Sequence, residues 1–362
     1  MVAFDGAGAE GGVAFGLAGT RYPARSSGWR WLEPALFLGL PLFIILAVIG
    51  REELRTDLAA WFLGAPTRLG RAFLDLLLFN TGFHVALAIG FFLQWRFPAR
   101  PAERALSAGL RQDLLWTVLT AVMYASLAPA YMAVLREFYH RYLDFLTIGA
   151  VADWPWLARL FLAFLVMDFT GWVAHWLSHK LPVVWSFHAI HHTQRQINFF
   201  TENRGHPIDF LFNFTVRFIP ILMVEHAFVS LIILDAIRHW LNRLVHANIR
   251  TDLGPLRYIL VTPQSHRIHH SIEPPHLDTN FGTTLSLWDH LFGTQYRGYD
   301  EYPETGLNDP TFPLEQRHGW RSGLRLLAGQ LAHPFVVTLR RWRSPPAKQL
   351  GQPREIRPLA AG

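Results

Sequence analysis

The chain has 362 residues, of which 51% are hydrophobic and only 17% are charged. A soluble domain carries about 25% charged residues, so this composition indicates a membrane protein. The sequence has no cysteine, which excludes disulfides, iron–sulfur clusters and thiolate ligands, and leaves histidine and carboxylate side chains to hold any metal. The net charge of +6 comes largely from arginines between apolar runs, which is typical of loops beside membrane spans rather than of a nucleic-acid-binding surface.

Four apolar runs in the first half of the chain predict membrane-spanning helices. Residues 1–32 are rich in Gly and Ala and are predicted to be a flexible cytoplasmic tail, because they lack the short apolar core of a signal peptide. A helix needs about 20 apolar residues to cross a bilayer. Residues 33–156 are predicted to form a transmembrane region with spans at 33–50, 72–95 and 114–135. A fourth span is predicted directly after it, at 157–179.

The fourth run carries three ionisable side chains on one helical stripe. Asp168, His175 and His179 stand at positions i, i+7 and i+11. Because an ionisable group inside a span is costly, Asp168 is predicted to face protein and meet a partner there. Two partners are open at this point. Asp168 either accepts an imidazole N–H and so fixes a ligand's tautomer, or makes a structural hydrogen bond to Thr170, Trp172 or a neighbouring helix.

Histidines then recur in boxes with helical spacing. Pro182 is predicted to end the fourth helix, and a new helix to carry an HxxHH triplet whose spacing returns about 75 residues later. Residues at i, i+3 and i+4 lie on one helix face, so each box is predicted to aim its imidazoles at one point. Neutral imidazole binds iron, zinc, copper and nickel. One box alone would fit a surface patch or packed core histidines, but the repetition predicts a metal site formed by His175 and His179, then His188, His191 and His192, then His266, His269 and His270.

A fifth apolar run, residues 207–240, is too long for one straight span. Its length as a single helix is about 50 Å, against a bilayer core of about 30 Å. We therefore predict a hairpin or re-entrant pair bent near Pro220, with His226 near the bend and not a ligand. His246, at the far end, is predicted to bind metal, and Asn242 one turn earlier to bind through water or to pack. His206 is predicted either to be a ligand or to orient the first triplet.

Together, these motifs resemble the sterol desaturase and fatty acid hydroxylase superfamily over residues 161–296. The motifs, in order, are HxxxH, HxxHH, RxHP at residues 204–207, a second HxxHH, NFG at 280–282 and WDHLFGT at 288–294. In that family the boxes bind two irons that activate dioxygen to attack an unactivated C–H bond of a lipid. The chain departs at Trp176 and His290, where many members have Arg, and neither change removes a ligand.

The resemblance implies an all-α fold: an integral membrane helical bundle with a cytoplasmic, histidine-rich helical cap that holds a di-metal site. It implies a catalytic domain at residues 157–296, two iron ions and dioxygen as co-substrate. No nucleotide fingerprint is present, so a separate electron donor of the cytochrome b5, ferredoxin or flavoprotein type is expected. A multi-pass position in a bacterial inner membrane, with the site facing the cytoplasm, is expected. The metal ligands are then His175, His179, His188, His191, His192, His246, His266, His269 and His270, with His206, Asp168 and Asn242 as additional or supporting residues.

The segments after the second triplet complete the predictions. Trp288, Leu291 and Phe292 are predicted to pack as a lid over the site, with Asp289 hydrogen-bonded beneath. Residues 297–362 are predicted to be a C-terminal tail with a basic amphipathic segment, 324–342, on the membrane surface or on a partner, interrupted at Pro334.

Four other functions remain as alternatives to hydroxylation. A lipid desaturase would use the same boxes. A zinc hydrolase would require a motif such as HExxH, which is absent. The only ExxH sequence near the boxes is EPPH at 273–276, and its two prolines make a ligand-bearing helix unfavourable. A metal transporter or bis-His haem protein would place histidines inside its spans, whereas here they cluster at span ends and in loops.

Overall fold

The structure, a computed structural model, describes residues 29–74, 81–103, 108–224, 228–315 and 320–343. Within these ranges the chain is helical and strand pairing is limited to isolated bridges, so the all-α prediction is confirmed there. Residues 1–28 of the predicted tail and the end of the chain after residue 343 lie outside the described residues. The helices are α1 (Trp29–Val48), α2 (Glu52–Leu63), α3 (Ala65–Leu74), α4 (Thr81–Arg96), α5 (Ala108–Val122), α6 (Ala128–Tyr142), α7 (Trp156–Lys180), α8 (Pro182–His188), α9 (Pro207–Leu222), α10 (Phe228–Val245), α11 (Pro263–His269), α12 (Leu287–Phe292) and α13 (Trp320–Arg343).

Two helical stretches of the described chain are long and apolar enough to cross a membrane. Gly109–Tyr142 spans 34 residues and Trp156–Lys180 spans 25, and they contain the predicted third and fourth runs. The first joins α5 to α6 through a π-helical turn, Met123–Leu127, in which the N–H of Ala128 bonds to the carbonyl of Met123. Pro129 follows directly and brings no N–H, which favours such a local change in the hydrogen-bond pattern.

The predicted first and second runs are less complete in the structure. The first corresponds to α1, whose apolar part, Phe37–Val48, is shorter than a full span. The second falls on the end of α3, on residues 75–80, which are outside the described residues, and on α4 with 16 residues. Helix α1 supplies one wall of the main core, where Ile44 and Val48 pack with Leu135 of α6 and Met167 of α7.

Helix α7 occupies the middle of the molecule and packs against α8, α9 and α10. The break predicted near Pro220 is present, since α9 ends at Leu222 and α10 begins at Phe228. His226 lies outside the described residues. His175 near the end of α7, Asp209 near the start of α9 and His246 just after α10 all line one cavity.

Two helix predictions were wrong. The first triplet does not share one helix, because α8 ends at His188 and His191 begins a separate 3-10 turn, His191–Thr193. Helix α13 runs through Pro334 without interruption. The turn before that proline is held by Gln330, whose side-chain oxygen accepts hydrogen bonds from Trp116 Nε1 at 3.0 Å and Gln112 Nε2 at 3.1 Å. These bonds dock α13 on α5, and they fix the backbone where Pro334 removes one intrahelical bond.

Candidate metal centre

Eight of the nine predicted ligands meet in two groups of four histidines. Within each group the ring nitrogens that face one another all lie within 4.8 Å. Seven of the eight histidines are buried, His191 is half-buried, and both groups contain imidazole only. We name them group A, formed by His175, His179, His192 and His269, and group B, formed by His191, His246, His266 and His270.

The ninth predicted ligand, His188, lies beside group A. Its ring centroid is 5.1 Å from those of His175 and His179, and 5.4 Å from that of His191 in group B. The Nε2 atom of His188 is buried and has no hydrogen-bond partner among the described residues. It therefore offers a lone pair at the border between the two groups.

The triplets do not each aim at one point, so that prediction was wrong. The first triplet sends His192 to group A and His191 to group B, and the second sends His269 to group A and His270 to group B. Adjacent residues diverge by about 100° around an α-helix and more in a 3-10 turn, so neighbours cannot face one metal. Residues four apart can, and His266 and His270 share group B while His175 and His179 share group A.

Carbonyl and carboxylate oxygens hold the outer nitrogen of many of these rings. The Nδ1 atoms donate to oxygen acceptors from distant segments, and such acceptors fix the tautomer that leaves Nε2 free to bind metal. The pairs are His175 with Phe281 O at 2.9 Å, His188 with Asp209 Oδ2 at 3.1 Å, His191 with Arg204 O at 3.3 Å, His246 with Asn242 O at 2.6 Å and His269 with Thr279 O at 2.8 Å.

The Nε2 atoms of group B approach one another in a way that suits a shared cation. Burial lowers the pKa of His191 and of His246, so both rings are neutral near pH 7. Their Nδ1 atoms carry the protons given to carbonyls, and the two Nε2 lone pairs then face each other at 3.1 Å. His266 Nε2 lies 2.8 Å from His246 Nε2, and His270 Nε2 lies 3.1 Å from His266 Nε2. Two nitrogens on one metal at 2.0–2.1 Å stand about 3.0 Å apart at a right angle, so these residues fit a metal ion.

Group A passes a similar test on its buried lone pairs. The Nε2 atoms of His175, His192 and His269 are buried and have no hydrogen-bond partner among the described residues. Burial lowers the pKa of His269 to about 3, which keeps the imidazole neutral. A neutral, unsatisfied imidazole nitrogen is costly in a protein interior unless it binds a cation. The aromatic rings of Trp185 and Phe281 close this group, at 4.8 and 5.2 Å from the ring of His179.

Asp168 and Asp289 organise the segment that follows the second triplet. Asp168 accepts hydrogen bonds from Thr284 N, Leu285 N and Trp288 Nε1, at 3.1, 3.1 and 2.8 Å. None of the hydrogen bonds found for it comes from an imidazole, so its contacts match the structural alternative. Asp289 accepts from Phe281 N at 2.8 Å, and the carbonyl of that same residue holds His175. The WDHLFGT segment thus acts on the site through the backbone at Phe281.

The predicted lid is only partly formed. Phe292 stacks on Trp172 of α7 with ring centroids 4.7 Å apart, and Trp288 contacts Phe169 at 4.9 Å. Leu291 was predicted to pack with them, but its side chain is 66% exposed, so that prediction was wrong. Leu291 is about 100° from Phe292 around this six-residue helix, so its side chain points to the side of the face that contacts α7.

His206 and Asn242 support the site without joining either group. His206 caps α9: its Nδ1 accepts from Ile208 N at 3.0 Å, and its Nε2 donates to Leu331 O at 3.1 Å. Both ring nitrogens are thus engaged outside the metal groups. Asn242 holds His246 through its backbone carbonyl, while its side chain donates to Glu202 Oε1 at 3.2 Å. The sequence had suggested a side-chain role for Asn242.

Several supporting residues were missed from the sequence. Glu202 lies 3.4 Å from His246 Nδ1, and Asp209 bonds to His188. Arg204 is fully buried and makes an ion pair with Asp113, which fixes the loop whose carbonyl holds His191. The RxHP motif was the available signal for this arrangement, since its arginine anchors the loop and its histidine and proline begin α9.

Two cavities reach the metal groups from different sides. The larger has a volume of about 180 Å³ and touches His191, His246 and His266 of group B, together with His175. Its walls come from α5, the π-helical turn, α7, α9 and α10. The smaller, about 150 Å³, touches His179, His192 and His269 of group A and is bordered by Asp278, which pairs with Lys180 at 2.8 Å.

Comparison with known proteins gives consistent matches over the histidine-rich region. The fatty acid hydroxylase family model matches residues 160–294. The ornithine lipid hydroxylase OlsE of Rhizobium tropici is 32% identical over 39% of this chain and 43% of its own length. Alkylglycerol monooxygenases of Xenopus tropicalis and Homo sapiens are 27% and 26% identical, over 59% and 54% of this chain and 45% and 40% of their own lengths. The chain thus spans less than half the length of these relatives. No solved structure gives a significant match.

Proposed function

Because the chain belongs to the sterol desaturase and fatty acid hydroxylase superfamily, we propose that it is a membrane oxidoreductase that uses dioxygen to hydroxylate an unactivated C–H bond of a lipid. The observation that carries the proposal is the pair of buried, histidine-only groups whose Nε2 lone pairs converge. The names of the relatives, a lipid hydroxylase and an alkylglycerol monooxygenase, support the reaction class.

The proposed cofactor is two iron ions, one in each group. Group A would hold one ion and group B the other, with His188 available at their border. Bound iron would supply the activation of dioxygen and the cleavage of the C–H bond. The chain's own residues fix the ligand rings: carbonyls of Phe281, Thr279 and Asn242 hold the Nδ1 protons, so each imidazole presents an unprotonated Nε2 without reorganisation.

The lipid is proposed to enter through the larger cavity. Met123, Phe210 and Phe214 give this cavity apolar walls. Met123 belongs to the first membrane-length stretch, and Phe210 and Phe214 belong to α9, which packs against both stretches. The π-helical turn contributes Met123 and Tyr124, so the change in hydrogen bonding at this point of the long helix directs two side chains into the lipid path. The apolar walls exclude water from the reacting carbon.

We further propose a multi-pass protein of the bacterial inner membrane whose metal centre faces the cytoplasm, where a separate cytochrome b5-, ferredoxin- or flavoprotein-type donor supplies two electrons. The support is that the eight histidines of groups A and B lie together, at the end of α7, in the turn after α8, just after α10 and on or directly after α11. One side of the membrane must therefore hold both triplets and His246.

The test follows the source of the oxygen atom. Purified protein is incubated with a lipid extract and a reductant system under ¹⁸O₂, and lipid products are read by mass spectrometry. We expect one labelled oxygen in a new hydroxyl, because a hydrolase would instead take oxygen from water. Turnover that continues without dioxygen or reductant would contradict the proposal. A new double bond without label would establish the desaturase alternative.

A further inference from the structure

The larger cavity runs along the facing sides of three helices, from the histidines to a pair of buried arginines. On α10, His246 stands just past the helix end, with Asn242 four and Arg238 eight residues before it, and all three line the cavity. The spacing i, i+4, i+8 keeps such residues on one face. The cavity-lining residues on the other two helices have the same spacing: Asp209, Asn213 and Arg217 on α9, and Gly171 and His175 on α7.

Two guanidinium groups at the far end of this cavity share a single carboxylate oxygen. Arg217 Nη2 lies 3.1 Å from Asp235 Oδ1, and Arg238 approaches the same atom with Nε at 3.1 Å and Nη2 at 3.0 Å. Asp235 is the only acidic side chain in an ion pair with either arginine among the described residues. These three side chains together therefore carry one positive charge in excess.

The two carboxylates that line the cavity, those of Glu202 and Asp209, lie beside histidines of the metal centre. Glu202 accepts from Asn242 Nδ2 and lies 3.4 Å from His246 Nδ1, and Asp209 accepts from His188 Nδ1. Both are thus committed to rings of the metal centre. Neither carboxylate is in an ion pair with Arg217 or Arg238, so the shared contact with Asp235 leaves guanidinium N–H groups for an incoming acceptor.

Space for such a group exists beside Arg217. A Cβ on Gly171 would stand 3.7 Å from Arg217 Nε and 3.2 Å from Thr283 Oγ1, and all three residues line the cavity. The glycine therefore keeps this part of α7 from filling the room next to the guanidinium. Planar guanidinium groups bind carboxylate and phosphate oxygens through paired hydrogen bonds.

We propose that Arg217 and Arg238 bind the anionic end, a carboxylate or a phosphate, of the lipid substrate. This inference rests on the proposed function, whose reacting carbon must lie beside the histidines. Arg238 and His246 are eight residues apart on α10, or about 12 Å. An extended chain advances roughly 1.2 Å per bond, so the oxidised carbon lies within about ten bonds of the anionic group.

The test measures binding by the full-length, metal-loaded protein in a neutral detergent without any reductant, which keeps it independent of turnover. The probes share a 16-carbon chain and differ at one end: hexadecanoic acid, hexadecyl phosphate and hexadecanol. We expect the anionic probes to bind about tenfold to a hundredfold more tightly than the alcohol, the range for charge-assisted hydrogen bonds. The tighter of the two anions identifies the source as a fatty acid or a phosphate-bearing lipid. Equal affinity for all three probes would overturn the proposal.

Charge-balanced variants separate recognition from folding. Arg238→Gln leaves one guanidinium against Asp235, so the cluster has no excess charge. The ratio of the affinity for the anionic probes to the affinity for hexadecanol should therefore fall towards one. Adding Asp235→Asn to that variant restores the excess positive charge through Arg217 and should restore the preference. Arg243→Gln is the matched control, because Arg243 contacts Asn203 Oδ1 at 3.4 Å and makes no contact with Asp235. A preference that survives Arg238→Gln, or that the second substitution fails to restore in folded protein, would refute the assignment.

A second measurement distinguishes this inference from the proposed function. The wild type and the two variants are assayed for oxygen-dependent turnover of a lipid extract. Label from ¹⁸O₂ in products, with no discrimination among the three probes, would refute the anion site and leave the oxygenase intact. Tighter binding of the two anionic probes, without oxygen-dependent turnover, would support the anion site and refute the oxygenase.

Discussion

The assignment of adjacent histidines to different metals gives the sharpest test of the site. Each triplet is split, so His191→Ala/His192→Ala removes one ligand from group B and one from group A. His192→Ala/His269→Ala removes two ligands from group A and none from group B. If each triplet instead bound its own metal, His191→Ala/His192→Ala would remove two ligands from one metal, and His192→Ala/His269→Ala would remove one ligand from each.

The magnitudes follow from the number of ligands lost. Four-ligand zinc sites bind with roughly 10–16 kcal/mol, which corresponds to about 3 kcal/mol per ligand, or about a hundredfold in Kd. Losing two ligands from one group should therefore weaken that site about ten-thousandfold and leave its neighbour near full affinity. The His192→Ala/His269→Ala protein should retain about one metal per chain, and the His191→Ala/His192→Ala protein should lose part of both.

The assay is elemental analysis after dialysis against a graded series of chelator concentrations. Each site then appears as a separate step in metal content, and circular dichroism confirms that the variants are folded. His140→Ala is the control, because His140 is exposed and pairs with Asp144 far from either group. One fully occupied metal in the His191→Ala/His192→Ala protein, with none in the His192→Ala/His269→Ala protein, would refute the split.

Three further predictions concern the support of the site and its orientation. Asp209→Asn weakens the acceptor of His188 Nδ1 and should lower metal affinity or activity about tenfold to a hundredfold, read by the same dialysis series. Burial lowers the pKa of His206 to about 4, so its contribution to stability is full above pH 6.5 and lost as the pH falls towards 4. His206→Asn keeps a capping acceptor for α9 and should unfold less readily in acid than the wild type, as followed by thermal melts at pH 7 and pH 5. A cysteine replacing exposed Arg250, near the histidines, should react with a membrane-impermeant thiol reagent only from the cytoplasm, and one replacing exposed Phe145 only from outside; the opposite pattern would contradict the orientation.

Sequence reasoning worked best where the information was local. The helical content of α5, α6 and α7 follows from apolar runs of spanning length, and the break between α9 and α10 from Pro220 together with the excess length of that run. The histidines were found because box spacing is local too. Trp288 and Phe292 contact α7 and Leu291 points away from it, because the orientation of a six-residue helix depends on the surface against which it packs.

The long-range contacts could not be read from spacing. The acceptor of His175 lies 106 residues away at Phe281, and Arg204 pairs with Asp113 across 91 residues. Backbone carbonyls have no sequence signature, so an acceptor such as Thr279 O is invisible before the fold is known. The role of His206 had a local signal, a polar residue followed by proline at the first helical position, which marks a helix start and not a metal ligand.

The split of the triplets explains why two HxxHH boxes and one HxxxH pair are all needed. A helix directs residues four apart to one metal and the residue next to them to another, so one triplet can bridge two ions but cannot complete either. His191 and His192 therefore need partners from α11, and His269 and His270 need partners from the first triplet. Each group also draws on a third segment, α7 for group A and the end of α10 for group B. Group A can form only when α7 and α11 pack beside the first triplet, and group B only when the end of α10 and α11 do so. Metal binding is thereby coupled to the docking of α7 and α10, two of the helices that line the lipid cavity.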